Sequence, residues 1–213
     1  MKSNKLLDRE GNFRCAFYHG TSTLFLDSIR ETGLGGRNKV KEFGWAIAFK
    51  DLFGLADQRM ANSAVWQKVR GGLLPIVKQG LTSDGLQFNF SHGQVYISPV
   101  PKIAERYALE AGCEILDYVR RLSLILHHEG YTQDVQSILP THLQETLGKT
   151  YRPVLLKINC LRFRDVETEN GVDKLKLLRK YEAFFGGADP DPFMPSWKLV
   201  APVPKSQLEF HYL

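Results

Sequence analysis

The chain has 213 residues, of which 43% are hydrophobic and 24% charged, a balance that excludes intrinsic disorder for most of the chain and supports a buried core. Its formal net charge of +5 arises in residues 1–100, which contain 13 Lys and Arg and 8 Asp and Glu. Residues 101–213 contain 15 basic and 15 acidic residues. No apolar run approaches the ~18 residues of a membrane-spanning helix, and no signal-peptide pattern or disulfide framework is present, so we expect a cytoplasmic protein.

The first predicted strand ends in a histidine. Residues 15–19 have the composition of a short buried strand, and Gly20 is expected to end it. The hydroxyls of residues 21–23 can cap a following helix, for which Gly33 is the predicted C-cap. The sequence therefore predicts a strand, a tight turn and a helix, with His19 at the turn.

A second strand and helix follow after a long interval. Residues 94–98 read as a strand that prolines end, and residues 102–110 read as a helix with an apolar stripe. Tyr96 and Tyr107 thus belong to adjacent elements.

The remaining elements are more loosely defined. Residues 73–89 look irregular, and strands near both ends of the chain enclose helices, which predicts an α+β fold. The other predicted elements are helices at 51–69, 114–128 and 172–185, a strand at 153–160, and a closing pair of strands at 197–203 and 207–213.

Two motifs carry a family resemblance. One is the run Phe-Tyr-His-Gly-Thr-Ser at residues 17–22, followed by a helix and Gly-Leu, and the other is Val-Tyr-Ile-Ser at residues 95–98, with Tyr107 eleven residues after Tyr96. In this order and spacing, the chain resembles the ADP-ribosyltransferase superfamily, in the PARP-like branch with a His, Tyr and Glu signature. The resemblance implies one domain over residues 1–213, with split antiparallel sheets around an NAD+ cleft and helical insertions at about 37–92 and 111–150.

The same resemblance implies roles for the motif residues. NAD+ would be a substrate, with no metal involved, and its nicotinamide carboxamide would bind the N–H and C=O of Gly20. His19 would bond a ribose hydroxyl, while Tyr96 and Tyr107 would line the nicotinamide slot. Cleavage of the nicotinamide–ribose bond passes through an oxocarbenium-like state, so the ribose and the leaving group must both be oriented. Without the combined spacing, these side chains would be read as ordinary core residues.

Three further residues are candidates for NAD+ binding. Thr21 and Ser22 complete the first motif. Arg37 follows a glycine-rich stretch, at which the backbone can approach a pyrophosphate closely.

The third residue of the family signature is missing. In the family a catalytic Glu stands at the start of a strand near the C-terminus, where it holds the ribose 2′-hydroxyl and helps to activate the acceptor. Here Pro195, Ser196 and Trp197 stand at the start of the corresponding strand, and none of them is a carboxylate. Either Glu182, Asp189 or Asp191 takes the role, or the chemistry needs no such group, or catalysis is lost; with His19 and Tyr96, Glu182 completes the predicted catalytic set.

The expected activity is transfer of ADP-ribose from NAD+ to a macromolecule. The basic first half makes nucleic acid, RNA or DNA, the leading acceptor. By resemblance, small bacterial toxins and phage-defence enzymes fit this size, which makes an antitoxin or inhibitor protein a further expected partner. The alternatives are a protein mono-ADP-ribosyltransferase, a tRNA 2′-phosphotransferase-like enzyme, whose characteristic arginines are not matched, and an inactive NAD-binding module.

Overall fold

A computed structural model describes residues 5–79, 94–109, 113–188 and 196–213, which form helices and two small antiparallel sheets. The α+β fold class is therefore confirmed. The strands are β1 (Phe17–Ser22), β2 (Tyr96–Ile97), β3 (Pro153–Ile158), β4 (Val166–Thr168), β5 (Trp197–Leu199) and β6 (Leu208–Tyr212). The helices are α1 (Leu26–Thr32), α2 (Lys39–Glu42), α3 (Trp45–Arg59), α4 (Ala64–Gln79), α5 (Pro101–Leu109), α6 (Glu114–His128), α7 (Thr132–Ile138), α8 (Thr141–Gly148) and α9 (Lys174–Phe185).

The chain divides into two compact units. The sheet unit comprises Met1–Arg37, Gln94–Gly112 and Arg152–Leu213, and the helical unit comprises Asn38–Gly93 and Cys113–Tyr151. The two segments of the helical unit begin and end within two residues of the helical insertions expected from the sequence. All six strands belong to the sheet unit.

The first sheet has the strand order β1-β3-β6, and all its pairs are antiparallel. β3 lies in the centre and is apolar on both faces, since Val154, Leu155 and Leu156 are all buried. Such a continuous apolar run is typical of a strand that is covered on both sides. β1 pairs with β3 from Phe17 to Ser22, which fixes the register of the His19 segment.

The second sheet has the order β2-β5-β4 and is smaller. Its central strand carries Trp197, which is fully buried and packs edge-on against Phe13 and Phe163. Aromatic pairs of this kind add to the free energy of burial, so Trp197 anchors β5 in the core of the sheet unit.

The helical unit packs α3 against α6, with α4 and α7 also contacting α3. Ile115, Val119, Leu122 and Leu126 form the buried stripe of α6, at the spacing of an amphipathic helix. This helix is confirmed at both ends. Within the described part of the chain, no helix has the length and apolar character needed to cross a membrane.

Several local predictions were wrong. β1 does not stop at Gly20 but continues to Ser22, because β3 pairs with it to that residue. The hydroxyls of residues 21–23 make no side-chain cap, since the chain passes through a short 3-10 turn before α1 begins. Gly33 does end α1, with φ 82° and its N–H bonded to the Ile29 carbonyl.

Several predictions for the other elements were also wrong. The two closing strands are not partners, because β5 is the centre of the second sheet and β6 an edge of the first. The helix predicted at 51–69 is two helices separated near Met60, and the second one continues through Pro75 into a stretch expected to be irregular. β4 was not predicted, since three residues are too few for a sequence pattern.

Candidate active site

The site lies where β1 and β2 meet, and one end of this junction is closed. The Tyr18 N–H donates to the Ser98 carbonyl at 2.7 Å, and the Ser98 N–H donates back to the Tyr18 carbonyl at 3.0 Å. Backbone groups alternate along a strand, so the N–H and C=O of Tyr18, Gly20 and Ser22 point away from β3. The Thr23 N–H, bonded to the Arg152 carbonyl at 3.0 Å, agrees with this alternation.

The other end of the junction is open. Continuing the antiparallel register from Tyr18 and Ser98 by two residues would pair Gly20 with Tyr96, but β1 and β2 lie in different sheets and do not form this pair. The ladder thus stops after a single bridge. The N–H and C=O of Gly20 consequently face the gap between the two strands, as the carboxamide role predicted for Gly20 requires.

His19 spans this gap with its side chain. Its Nδ1 lies 2.8 Å from the Tyr96 carbonyl oxygen. A carbonyl only accepts, so Nδ1 carries the hydrogen and Nε2 is the acceptor nitrogen. Burial lowers the pKa of His19, although the bond to the Tyr96 carbonyl opposes this shift. The imidazole is therefore neutral near pH 7, with Nε2 able to accept from a hydroxyl.

Gly20 also allows α5 to pack directly on β1. A Cβ at this position would overlap the Ala104 carbonyl oxygen and lie 2.6 Å from the Ala108 nitrogen. Both alanines are buried, so small residues on the helix complement the missing side chain on the strand. The sequence predicted a role for Gly20 because its backbone groups are not obstructed by a side chain. The structure adds a second reason for glycine, the close packing of α5.

The two tyrosines are not core residues. Tyr107 is 47% exposed and lies on the turn of α5 that packs on Gly20, since it is flanked by the buried Ala104 and Ala108. Tyr96 is partly buried, and its backbone carbonyl holds His19. The structure thus brings His19, Gly20 and Tyr96 together and places Tyr107 on the adjoining helix turn.

Ser98 supports the closed end and was missed by the sequence analysis. Its hydroxyl accepts from the Val100 N–H at 3.1 Å and is hydrogen-bonded to the Tyr181 hydroxyl. Burial raises the pKa of Tyr181 to about 12, so its hydroxyl stays protonated. The only sequence signal was that Ser98 directly precedes Pro99, at the start of a turn. Serine hydroxyls at such positions commonly bond to nearby backbone groups.

A row of polar side chains crosses the second sheet beside Tyr96. Tyr96 on β2, Lys198 on β5 and Glu167 on β4 are direct neighbours in the register. The Leu199 N–H bonds the Val95 carbonyl at 2.9 Å, which makes Tyr96 and Lys198 a non-hydrogen-bonded pair, the kind whose side chains lie closest. Lys198 was also missed, because its face depends on the strand register.

Among the candidates for the missing carboxylate, the structure describes Glu182, which has another contact. The Leu6 N–H donates to Glu182 Oε1 at 3.0 Å, so Glu182 ties the N-terminal segment to α9, which does not support the catalytic role predicted for it. Asp189 and Asp191 lie outside the described residues. Glu169 stands opposite Ser196 at the start of β5, where its carboxylate accepts from the Ser196 N–H at 3.1 Å.

The remaining NAD+ candidates are not brought to the gap by any contact described. Thr21 is 2% exposed and Ser22 is fully buried, so their side chains are covered in this structure. The Ser22 hydroxyl has no hydrogen-bond partner among the described residues. Arg37 is exposed after the Gly33–Gly36 turn. Their binding of NAD+ remains a prediction.

The arrangement is a gap between two strands, lined by a backbone donor and acceptor, a neutral imidazole and a tyrosine. Over the part of the chain that the structure describes, no group of three or more His, Cys, Asp or Glu residues could hold a metal ion. In comparisons with known proteins, no family model, no curated protein and no solved structure matches this chain.

Proposed function

We propose that this chain is an ADP-ribosyltransferase that binds NAD+ at the open end of the β1–β2 junction and transfers ADP-ribose to nucleic acid. The observation that carries the proposal is the gap between Gly20 and Tyr96, which the His19 imidazole spans. Two antiparallel sheets that meet at a single bridge agree with the split-sheet arrangement expected for this family.

The chemistry of the gap suits a nicotinamide ribose. A carboxamide has one acceptor and two donor hydrogens, so it can pair with the N–H and C=O of Gly20 at the same time. The Nε2 atom of His19 can accept from a ribose hydroxyl, and the tyrosine rings offer faces for the nicotinamide to stack on. Holding the ribose and the leaving group in place favours the oxocarbenium-like transition state of the bond cleavage.

A nucleic-acid acceptor is favoured by the distribution of charge. The sheet unit holds 18 Lys and Arg against 14 Asp and Glu, whereas the helical unit holds 10 against 9. Most of the positive excess thus belongs to the unit that carries the gap. A basic surface attracts the phosphate backbone by releasing its counterions.

One observation favours a second candidate, an NAD-binding module without turnover. The start of β5 offers no carboxylate of its own, because Ser196 and Trp197 stand there and Trp197 is buried in the core. This module would bind NAD+ with the same residues but would release no nicotinamide.

The test measures NAD+ binding by calorimetry and nicotinamide release by chromatography, with RNA, DNA or protein as acceptor. We expect binding at millimolar or lower concentration and release that depends on nucleic acid. His19→Ala should reduce release by about 100-fold or more, since it removes a positioned contact to the reacting ribose. His211→Ala is the matched control, because His211 is exposed on β6 of the same unit.

The outcomes separate the candidates. Binding without release under any condition would support the inactive module, and release that is greatest with protein would replace the nucleic-acid acceptor. Full activity in His19→Ala, or no NAD+ binding by the intact chain, would contradict the proposed site.

A further inference from the structure

The outer edge of β6 is open in the part of the chain that the structure describes. β6 is an edge strand of the first sheet, and its odd-numbered residues bond β3, as does the Leu213 N–H, which lies 3.2 Å from the Pro153 carbonyl oxygen. Backbone groups alternate along a strand, so the N–H and C=O of Phe210 and Tyr212 point away from β3. Within the described ranges, no backbone hydrogen bond reaches these groups from the outer side. A further strand could therefore bond them.

β6 also lacks the usual protection of an exposed edge. Natural edge strands commonly carry proline, lysine or a bulge, each of which prevents pairing with another chain. The strand reads Leu-Glu-Phe-His-Tyr, without proline or lysine, and its register with β3 runs from Leu208 to Tyr212 with no bulge. The Tyr212 side chain is 49% exposed. This edge is thus suited to the addition of a strand.

The opposite edge of the same sheet is not open along its whole length. β1 forms that edge, and the backbone groups of Tyr18 are bonded to Ser98. A β6 strand from a second copy therefore cannot pair along the stretch of β1 that includes Tyr18. Two β6 edges can instead pair with each other about a two-fold axis, which closes the assembly at two copies.

The charges on β6 select one register for such a pair. Both edges use their outward backbone groups only when even-numbered residues lie opposite even-numbered residues. An axis at Glu209 would set two carboxylates against each other, and like charges directly opposite are destabilising. An axis at His211 would pair two imidazoles and leave each Glu209 opposite Leu213. An axis at Phe210 places each Glu209 opposite His211 of the second copy, in a non-hydrogen-bonded pair, the kind whose side chains lie closest.

The side chains of Glu209 and His211 are placed for this exchange. Both are exposed, and within one chain His211 Nε2 lies 3.6 Å from Glu209 Oε2. Hydrogen bonds from Asn159 and from Lys157, whose Nζ lies 3.1 Å from Oε2, lower the pKa of Glu209 and keep it ionised. An imidazole carries an N–H in either tautomer, so His211 of a second copy can donate to this carboxylate.

We propose that the protein forms a symmetric dimer by antiparallel pairing of two β6 strands, with Phe210 at the two-fold axis. The Phe210 N–H donates to the Phe210 carbonyl of the second copy, and the Tyr212 N–H donates to the Leu208 carbonyl of that copy. The Leu208 N–H is not needed, since it already bonds the Lys205 carbonyl. The two first sheets become one continuous sheet.

The dimer leaves the candidate active site of each copy accessible. β1 carries the site and is separated from β6 by β3. The gap at Gly20 therefore lies at an outer edge of the joined sheet in both copies. Dimer formation requires no NAD+, so the inference stands or falls independently of the proposed function.

The first experiment measures self-association of the full chain by sedimentation at pH 7. Because β6 is short, its pairing buries less than the ~1,600 Å² of a standard interface, and we expect a dissociation constant of about 10–100 µM. Hydrogen exchange followed by NMR should show protection of the Phe210 and Tyr212 amides as the dimer forms. The amides of Glu209 and His211, which bond β3, are the internal control.

Charge variants test the register. His211→Glu sets two carboxylates opposite each other, and Glu209→Lys removes the carboxylate that faces His211, so each variant alone should weaken the dimer by about 10-fold or more. An equimolar mixture should associate again, because the new carboxylate of one variant then faces the new ammonium of the other. Arg179→Glu, which reverses an exposed charge on α9, is the matched control and should leave the dissociation constant unchanged.

Four results would overturn the inference. The first is a protein that stays monomeric up to about 1 mM with fast exchange at Phe210 and Tyr212. The second is a monomer in which these amides are protected at every concentration, which would show that another segment of the same chain covers the edge. The third is a dimer that neither charge variant weakens at an unaltered melting temperature, and the fourth is a mixture that fails to associate. All four leave NAD+ binding and its His19 dependence untouched.

Discussion

The two ends of the β1–β2 junction use the same kinds of backbone group for different purposes. At the closed end, Tyr18 and Ser98 satisfy each other with two hydrogen bonds, and the Tyr181 hydroxyl holds Ser98 from α9. At the open end, two residues further along, Gly20 and Tyr96 are not paired, and the His19 side chain takes the Tyr96 carbonyl. The closed end ties the two strands together, and at the open end the N–H and C=O of Gly20 face the gap in which we propose that NAD+ binds.

This difference arises from the alternation of backbone groups along a very short segment. β2 has only two residues, which pair with β5 on one side, and the next residue, Ser98, bonds β1 on the other side. Because its odd-numbered residues bond β5, the groups of its even-numbered residues face β1. The backbone groups of Ser98 pair with Tyr18, and the Tyr96 carbonyl instead accepts from His19 Nδ1.

The largest stability effect is expected when the core beneath the second sheet is removed. Trp197→Ala should lower the free energy of unfolding by about 3–5 kcal/mol, because a fully buried aromatic side chain is lost and a cavity remains. Chemical denaturation of the full chain measures this change. Trp197→Phe should restore much of it, and a loss below about 1 kcal/mol would show that the closed end does not depend on this core.

Adding a methyl group to Gly20, at the open end, should give the next largest loss of stability. Gly20→Ala should destabilise the protein by about 1–3 kcal/mol and weaken NAD+ binding, because α5 must move away from β1. Thermal melting and calorimetry report the two effects. Gly54→Ala in α3 is the matched control, since a Cβ there meets open space and should stabilise the helix by about 0.5–1 kcal/mol. A Gly20→Ala variant that is as stable as the wild type would refute the close packing.

Loosening the closed end should have a moderate effect. Ser98→Ala leaves the Val100 N–H and the Tyr181 hydroxyl without this partner, for an expected loss of about 1–2 kcal/mol in unfolding free energy. A double-mutant cycle with Tyr181→Phe isolates the shared bond. We expect a coupling energy of at least about 0.5 kcal/mol, and additive effects would show that the bond does not hold the strand.

The smallest expected effect is a pH dependence that originates at the open end. The pKa of His19 is lowered in the folded protein, so the unfolded chain binds its proton first as the pH falls. Stability should therefore be unaffected above about pH 6.5 and should decrease as the pH drops below that value. Comparing unfolding curves of the wild type and His19→Gln between pH 5 and 8 isolates the contribution. A wild-type protein that gained stability over this range on acidification, relative to His19→Gln, would contradict the neutral imidazole.

Much of the local structure could be predicted because it depends on neighbouring residues. The periodicity of α6, the strand character of β3 and the glycine that ends α1 were all evident from their own segments. The pairing of β5 with β2, by contrast, joins residues about a hundred positions apart, and no local pattern encodes it. The face on which Lys198 lies changes with a register shift of one residue, so it could not be predicted.

The candidate site likewise has features that local sequence predicts and features that depend on distant segments. The sequence alone determined the residue types at the gap, His19, Gly20 and Tyr96, because their order and spacing form a recognisable motif. Only the tertiary structure decided that the ladder stops between Gly20 and Tyr96, that His19 bonds the Tyr96 carbonyl, and that Lys198 stands beside Tyr96. The physical reason is that spacing along a chain is a local property, whereas hydrogen-bond partners and strand registers depend on which distant segments pack together.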